Sequence, residues 1–244
     1  MFNTIKSNWL RTKRQPIRWV LLLAPILYAL GFFLYTMGPN SFKGVEIYTF
    51  FEIFAILATF SLSFFVPMLY EADKNASYYT NDVKFGISRK KSFVAKFLLI
   101  ALLYALIILI ESVIFLGFWI AFKNKSINLG EFLILMALVF FTIIPIIPIY
   151  QYLNLKYGQS GSIMMGIFLT LAAILLGTTG LGALIWKFLP FVWPIKLIYL
   201  LAQGAVSLKV FLKYIGLGII INIIFLILVA NWFNKWDVYA KMED

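Results

Sequence analysis

Two carboxylic acids fall inside apolar runs of this 244-residue chain, Glu52 and Glu111. A charge placed there is costly unless it is paired or hydrated, so each acid needs a reason to be present. Glu111 sits near the middle of its run. One reading makes it a polar contact for a transported molecule or a proton site. The other makes it a hydrogen-bonding group inside the bundle or at a dimer interface, with Thr59, Ser61 or Ser63 as candidate partners. Glu52 lies near the end of its run, where water at the interface would reach it. Asn222, also mid-run, is the type of residue that bonds a neighbouring helix. The chain has no Cys and no His. That excludes disulfides, zinc sites built from the usual ligands and any Ser-His or Cys-His nucleophile pair. No GxxxxGK[ST] phosphate loop occurs, and no carboxylate pair or metal cluster emerges. The expectation is a non-catalytic chain holding no cofactor or metal; if ATP drives it, another subunit binds the nucleotide.

The elements that must carry these residues are set by hydropathy. Hydrophobic residues make up 63% of the chain, charged residues 13%, and the mean hydropathy is +0.94. A soluble domain cannot bury that much apolar surface, whereas a bilayer dissolves it. The net charge of +11 admits nucleic acid as a partner, yet the basic residues flank the apolar runs. There they orient spans and meet anionic headgroups, so the partner expected is the bilayer and not nucleic acid. Residues 1–18 mix Lys6, Arg11, Lys13, Arg14 and Arg18 with Ile5, Trp9 and Leu10, a composition suited to an interfacial helix. Six spans follow, at 19–37, 48–70, 97–122, 132–153, 161–185 and 213–233. Pro145 and Pro148 predict a kink in the fourth. Small residues Gly166, Gly177, Gly180 and Gly182 mark the fifth as closely packed. Residues 186–212 are apolar but broken by Pro190 and Pro194. They read as short helices at, or dipping into, the outer interface. Lys and Arg are more numerous on the segments that this plan puts inside, which places both termini in the cytoplasm. Residues 1–244 form a single transmembrane domain, with no internal repeat.

Residues 71–96 stand apart as the longest charged segment between two apolar ones. Glu71 and Asp73 leave the second span; Ser88, Arg89, Lys90, Lys91 and Lys96 lead into the third. The plain reading is a solvated basic loop facing lipid headgroups. The other is the main surface offered to a soluble partner.

In this order of residues the chain resembles the membrane subunits of ATP-binding-cassette type-2 exporters. The residues that match are Glu71, Ser88, Arg89 and Lys96, and the likeness extends to the whole plan of spans. The resemblance implies an all-α integral membrane fold with six transmembrane helices and an N-terminal interfacial helix. It also implies a cytoplasmic coupling helix between spans two and three, and a re-entrant or interfacial hairpin between spans five and six. Within that family, length and texture are similar to the permeases of lantibiotic self-immunity transporters. Pro190 to Leu197, PFVWPIKL, is similar in kind to their outer P-x-x-x-P stretch. Lys235-Trp236-Asp237 stands where many relatives have an Arg-Asp type of pair. The resemblance implies a multi-pass subunit of the bacterial cytoplasmic membrane. It would work with a separate ATPase dimer holding ATP and Mg, and with a second permease, either a sister subunit or another copy. Glu71, Asp73, Ser88, Arg89, Lys90 and Lys91 would then meet the ATPase, and the cargo would be an antimicrobial peptide or a lipid-like molecule. Two further readings stand beside it. One is an ATP-independent immunity or anchoring protein that binds peptide or lipid; the other is a proton-coupled transporter using Glu111.

Overall fold

A computed structural model describes residues 2–38, 43–77, 88–123 and 127–236. Helix dominates the described residues, and none of them is in a strand. The elements are α1 (Phe2–Arg11), α2 (Ile17–Met37), α3 (Glu46–Ser77), α4 (Arg89–Phe118), α5 (Leu129–Ile143), α6 (Ile146–Thr178), α7 (Trp193–Ala202) and α8 (Leu208–Lys235). A single π-helical turn, Trp119–Lys123, continues α4, and short 3-10 turns at Gly180–Gly182 and Ile185–Phe188 lead into α7. Five stretches are long and apolar enough to cross a membrane. They are Ile17–Met37, Glu46–Asn75, Arg89–Lys123, Leu129–Thr178 and Leu208–Lys235.

Burial follows a bilayer's logic. Leu27 and Leu34 of α2, Leu102, Leu109 and Val113 of α4, and Ile220, Ile223 and Ile227 of α8 all face outward. Glu111, Gln151, Thr59, Ser63, Thr142 and Ser162 are inside. In water this arrangement would expose apolar surface and bury polar groups at a loss; in hydrocarbon both preferences reverse. The described chain is therefore an all-α protein built for a membrane.

α3 runs through the middle, packed against α6, α7, α5 and α2. Its contact with α6 has a specific cause. Pro67 lacks the N–H that would bond the Ser63 carbonyl four residues back. The Ser162 hydroxyl of α6 donates to that carbonyl at 2.9 Å, and the Tyr150 hydroxyl donates to the Thr59 carbonyl at 2.8 Å. Pro145, between α5 and α6, also removes a backbone donor. It frees the Phe141 carbonyl, and α8 approaches that oxygen so closely at Gly218 that any side chain there would collide with it.

The stretch 129–178 is not one rod. Gly158 has φ +74° and ψ −171°, a conformation that only glycine adopts readily. The backbone doubles back there: a methyl group added at Gly161 would lie 3.7 Å from the Leu153 carbonyl oxygen, and one at Gly166 would lie 3.6 Å from the Tyr150 hydroxyl. A straight helix would hold those pairs far apart, at ~1.5 Å of rise per residue. The expected loop at 154–160 is thus replaced by a sharp turn with helix on both sides.

Other boundaries shift for local reasons. α3 and α4 extend past the expected spans 48–70 and 97–122, so the flanks of segment 71–96 are helical; residues 78–87 lie outside the described residues. α6 ends at Thr178 rather than 185, because Thr179 turns extended and its hydroxyl accepts from the Leu181 N–H at 3.2 Å. Residues 186–212 do not simply lie on an interface. Trp193, Ile195, Leu197 and Ile198 of α7 are buried against α3 and α6. The exposed part is the preceding turn, where Leu181, Leu184 and Phe188 protrude.

Candidate functional site

A chain of polar contacts ties four helices together where α1 meets the bundle. It starts at Asp73, about one turn from the end of α3 once that helix has left its apolar section. Asp73 is 7% exposed and accepts from Arg11, the last residue of α1, through Oδ1. Its other oxygen, Oδ2, lies 2.8 Å from the Nζ of Lys96 in α4. Lys96 is 5% exposed, and its ammonium sits 4.3 Å from the centre of the Tyr70 ring. The Tyr70 hydroxyl in turn accepts from Gln151 Nε2 of α6 at 2.9 Å. One buried carboxylate therefore joins α1, α3 and α4, and the aromatic ring beside it extends the link to α6. Trp9 and Arg18 brace the same end of α1. The Arg18 guanidinium lies 4.4 Å over the Trp9 ring and donates to the Trp9 carbonyl at 3.0 Å.

The sequence-based candidates divide around this hub. Asp73 is committed to the internal ion pairs and is not on the surface as a partner contact. Arg89 is partly buried and donates to the Trp236 carbonyl at 2.8 Å, which ties the start of α4 to the end of α8. Glu71, Ser88, Lys90 and Lys91 are exposed. They form the charged surface that remains open to a second molecule. Lys96, noted only as a matching basic residue, turns out to be the buried partner of Asp73. Its sequence signal is weak, because Lys96 closes the charged segment at the border of the apolar run, unlike Glu111 in the middle of one.

Glu111 lies elsewhere, within the bundle. It is fully buried, and neither carboxyl oxygen has a hydrogen-bond partner. The expected hydroxyl partners are engaged on their own helix: Thr59 donates to the Ala55 carbonyl, Ser61 to that of Ala58 and Ser63 to that of Phe60. Hydroxyls in an apolar helix satisfy themselves this way without needing a neighbour. Glu111 instead lines a cavity of about 380 Å³ between α2, α3 and α4. Tyr104, two turns earlier on the same face of α4, also lines it, and its hydroxyl has no partner either. Val20, Ala24 and Leu57 form an exposed rim, so the cavity opens sideways on the apolar perimeter.

Glu52 is partly buried and comes under the electrostatic influence of Lys196 on α7. Asn222 Oδ1 is buried and has no partner, so the interhelical bond expected from that oxygen is not made. Sequence reasoning missed a contact at the far end of α3, where the Tyr48 hydroxyl donates to Glu131 at the start of α5. Among the described residues, no group of His, Cys, Asp or Glu is placed to hold a metal ion.

Comparison with models of protein families, with curated proteins and with solved structures finds no match to this chain. The hub, the exposed charged surface and the cavity are the features on which a function can be built.

Proposed function

We propose that this chain is the membrane-spanning permease subunit of an ATP-driven exporter, expelling an antimicrobial peptide or a similar amphipathic cargo from the membrane. The single observation that carries this reading is the Asp73 hub. A transporter driven from outside the bilayer needs a rigid junction where the driving subunit pushes. Here one buried carboxylate couples the N-terminal helix to the two helices that flank the charged segment. A push on Glu71, Lys90 and Lys91 would pass directly into α3 and α4 and, through Tyr70 and Gln151, into α6.

In this reading the chain crosses the membrane six times, with the turn at Gly158 separating the fourth and fifth crossings and both termini in the bacterial cytoplasm. α7 is the re-entrant element on the outer side. ATP and Mg belong to a separate ATPase dimer, and a second permease completes the transporter. This chain supplies no catalytic residue. The absence of a phosphate loop from the sequence is consistent with that division of labour.

The test is charge reversal at the exposed surface. Lys90→Glu with Lys91→Glu is expected to lower the ATPase activity recovered with the purified chain by about tenfold, since opposed charges become like charges across the contact. Insertion and thermal stability should not change, because both side chains are exposed. Recovery equal to the wild type would remove this segment as the coupling surface.

A further inference from the structure

We propose that the cavity between α2, α3 and α4 binds a lipophilic amine, one apolar tail bearing one ammonium head, which enters sideways from the bilayer. Glu111 is a fully buried carboxyl with no donor to either oxygen. Leaving such a group unpaired is costly, and more so when it is charged. A ligand that brings both a donor and a positive charge removes that cost. No Lys or Arg lines the cavity, so a carboxylate or phosphate head would meet repulsion alone. An alcohol would make a hydrogen bond but would not neutralise the acid.

The remaining walls fit the rest of such a molecule. The rings of Tyr28 and Phe54 lie 5.9 Å apart, and those of Phe54 and Tyr104 lie 6.1 Å apart; all three line the cavity. Aromatic faces attract a desolvated ammonium. Leu57 and the other apolar residues toward the rim would hold the tail. The volume of about 380 Å³ is at the small end for ligand sites, room for a single tail and not for a folded peptide. A cationic peptide would place one lysine side chain here. The inference rests on the permease reading only where it calls this ligand class the cargo; binding itself needs no ATPase.

The experiment uses the full chain in phosphatidylcholine nanodiscs. Binding of radiolabelled dodecylamine is measured against empty nanodiscs, with dodecanol and dodecanoate as competitors. Saturable binding is expected, resistant to dodecanoate and weakened about tenfold by Glu111→Gln, the equivalent of losing one charge-assisted hydrogen bond. Ala24→Trp leaves Glu111 in place and is expected to block entry at the rim. The proposal is overturned if the wild type shows no saturable binding, if dodecanol displaces the amine as well as unlabelled dodecylamine does, or if either variant binds like the wild type. ATPase recovery on the same preparations separates the two readings. Amine binding lost with ATPase retained in Glu111→Gln supports the site and leaves the permease reading standing. Amine binding without any associated ATPase removes the permease reading alone.

Discussion

Asp73 and Arg11 form an ion pair in which the two side chains differ widely in exposure, 8% against 42%, whereas the side chain of Lys96 on the other oxygen is 6% exposed. The three residues should therefore differ in what they contribute. Removing one partner of a buried pair strands the other charge, at about 3–5 kcal/mol. A half-exposed pair is worth about 1 kcal/mol or less. Asp73→Asn and Lys96→Met are thus expected to lower the thermal midpoint in detergent far more than Arg11→Ala does. Equal effects from all three would show that the hub is not organised around the Asp73–Lys96 pair. The residue scale is also where sequence reading was weakest. An acid beside basic residues in a charged segment reads as surface, because sequence carries no information on which of several cations a carboxylate will face. Glu111 was legible as an anomaly from its apolar surroundings. Its lack of a hydroxyl partner was not, since whether Thr59 or Ser63 turns to its own helix depends on the backbone geometry around it.

At the scale of elements, Pro67 leaves a carbonyl without its donor and a neighbouring helix supplies what is missing. The Ser63 carbonyl, freed by Pro67 and bonded by Ser162, gives a double-mutant test. Ser162→Ala is expected to cost about 1–3 kcal/mol, the penalty for a buried unsatisfied carbonyl. In a Pro67→Ala background the restored N–H can satisfy Ser63 within α3, so the same Ser162→Ala change should cost markedly less. Additive losses in the two backgrounds would contradict this account of the α3–α6 contact. Hydropathy alone located the apolar helices to within a turn or two, because the bilayer fixes length and polarity together. Their continuation into the charged segment was not legible, since Lys, Arg, Glu and Ala sustain a helix as well in water as beside it. The burial of α7 was hidden for a different reason. Trp193 and Pro194 fit an interface as readily as a bundle interior, and only packing against α3 distinguishes the two.

At the scale of the whole molecule, α3 is the axis on which the parts converge. Its length passes from Tyr48, bonded to Glu131, through the wall of the Glu111 cavity, to Asp73 and the N-terminal helix. A displacement imposed at the Asp73 end has a helical path to the cavity through α3, which lacks one backbone hydrogen bond at Pro67. That geometry would suit a subunit moved by a partner, and the cavity proposed to bind a ligand lies along the element that would move. The measurement that tests this most directly is gentle-detergent purification of the chain from its native membrane, with quantification of the associated ATPase. The account predicts a stoichiometric ATPase subunit together with a second permease copy or sister chain. A chain that comes away alone, active in binding and without ATPase under conditions that preserve the fold, would contradict it.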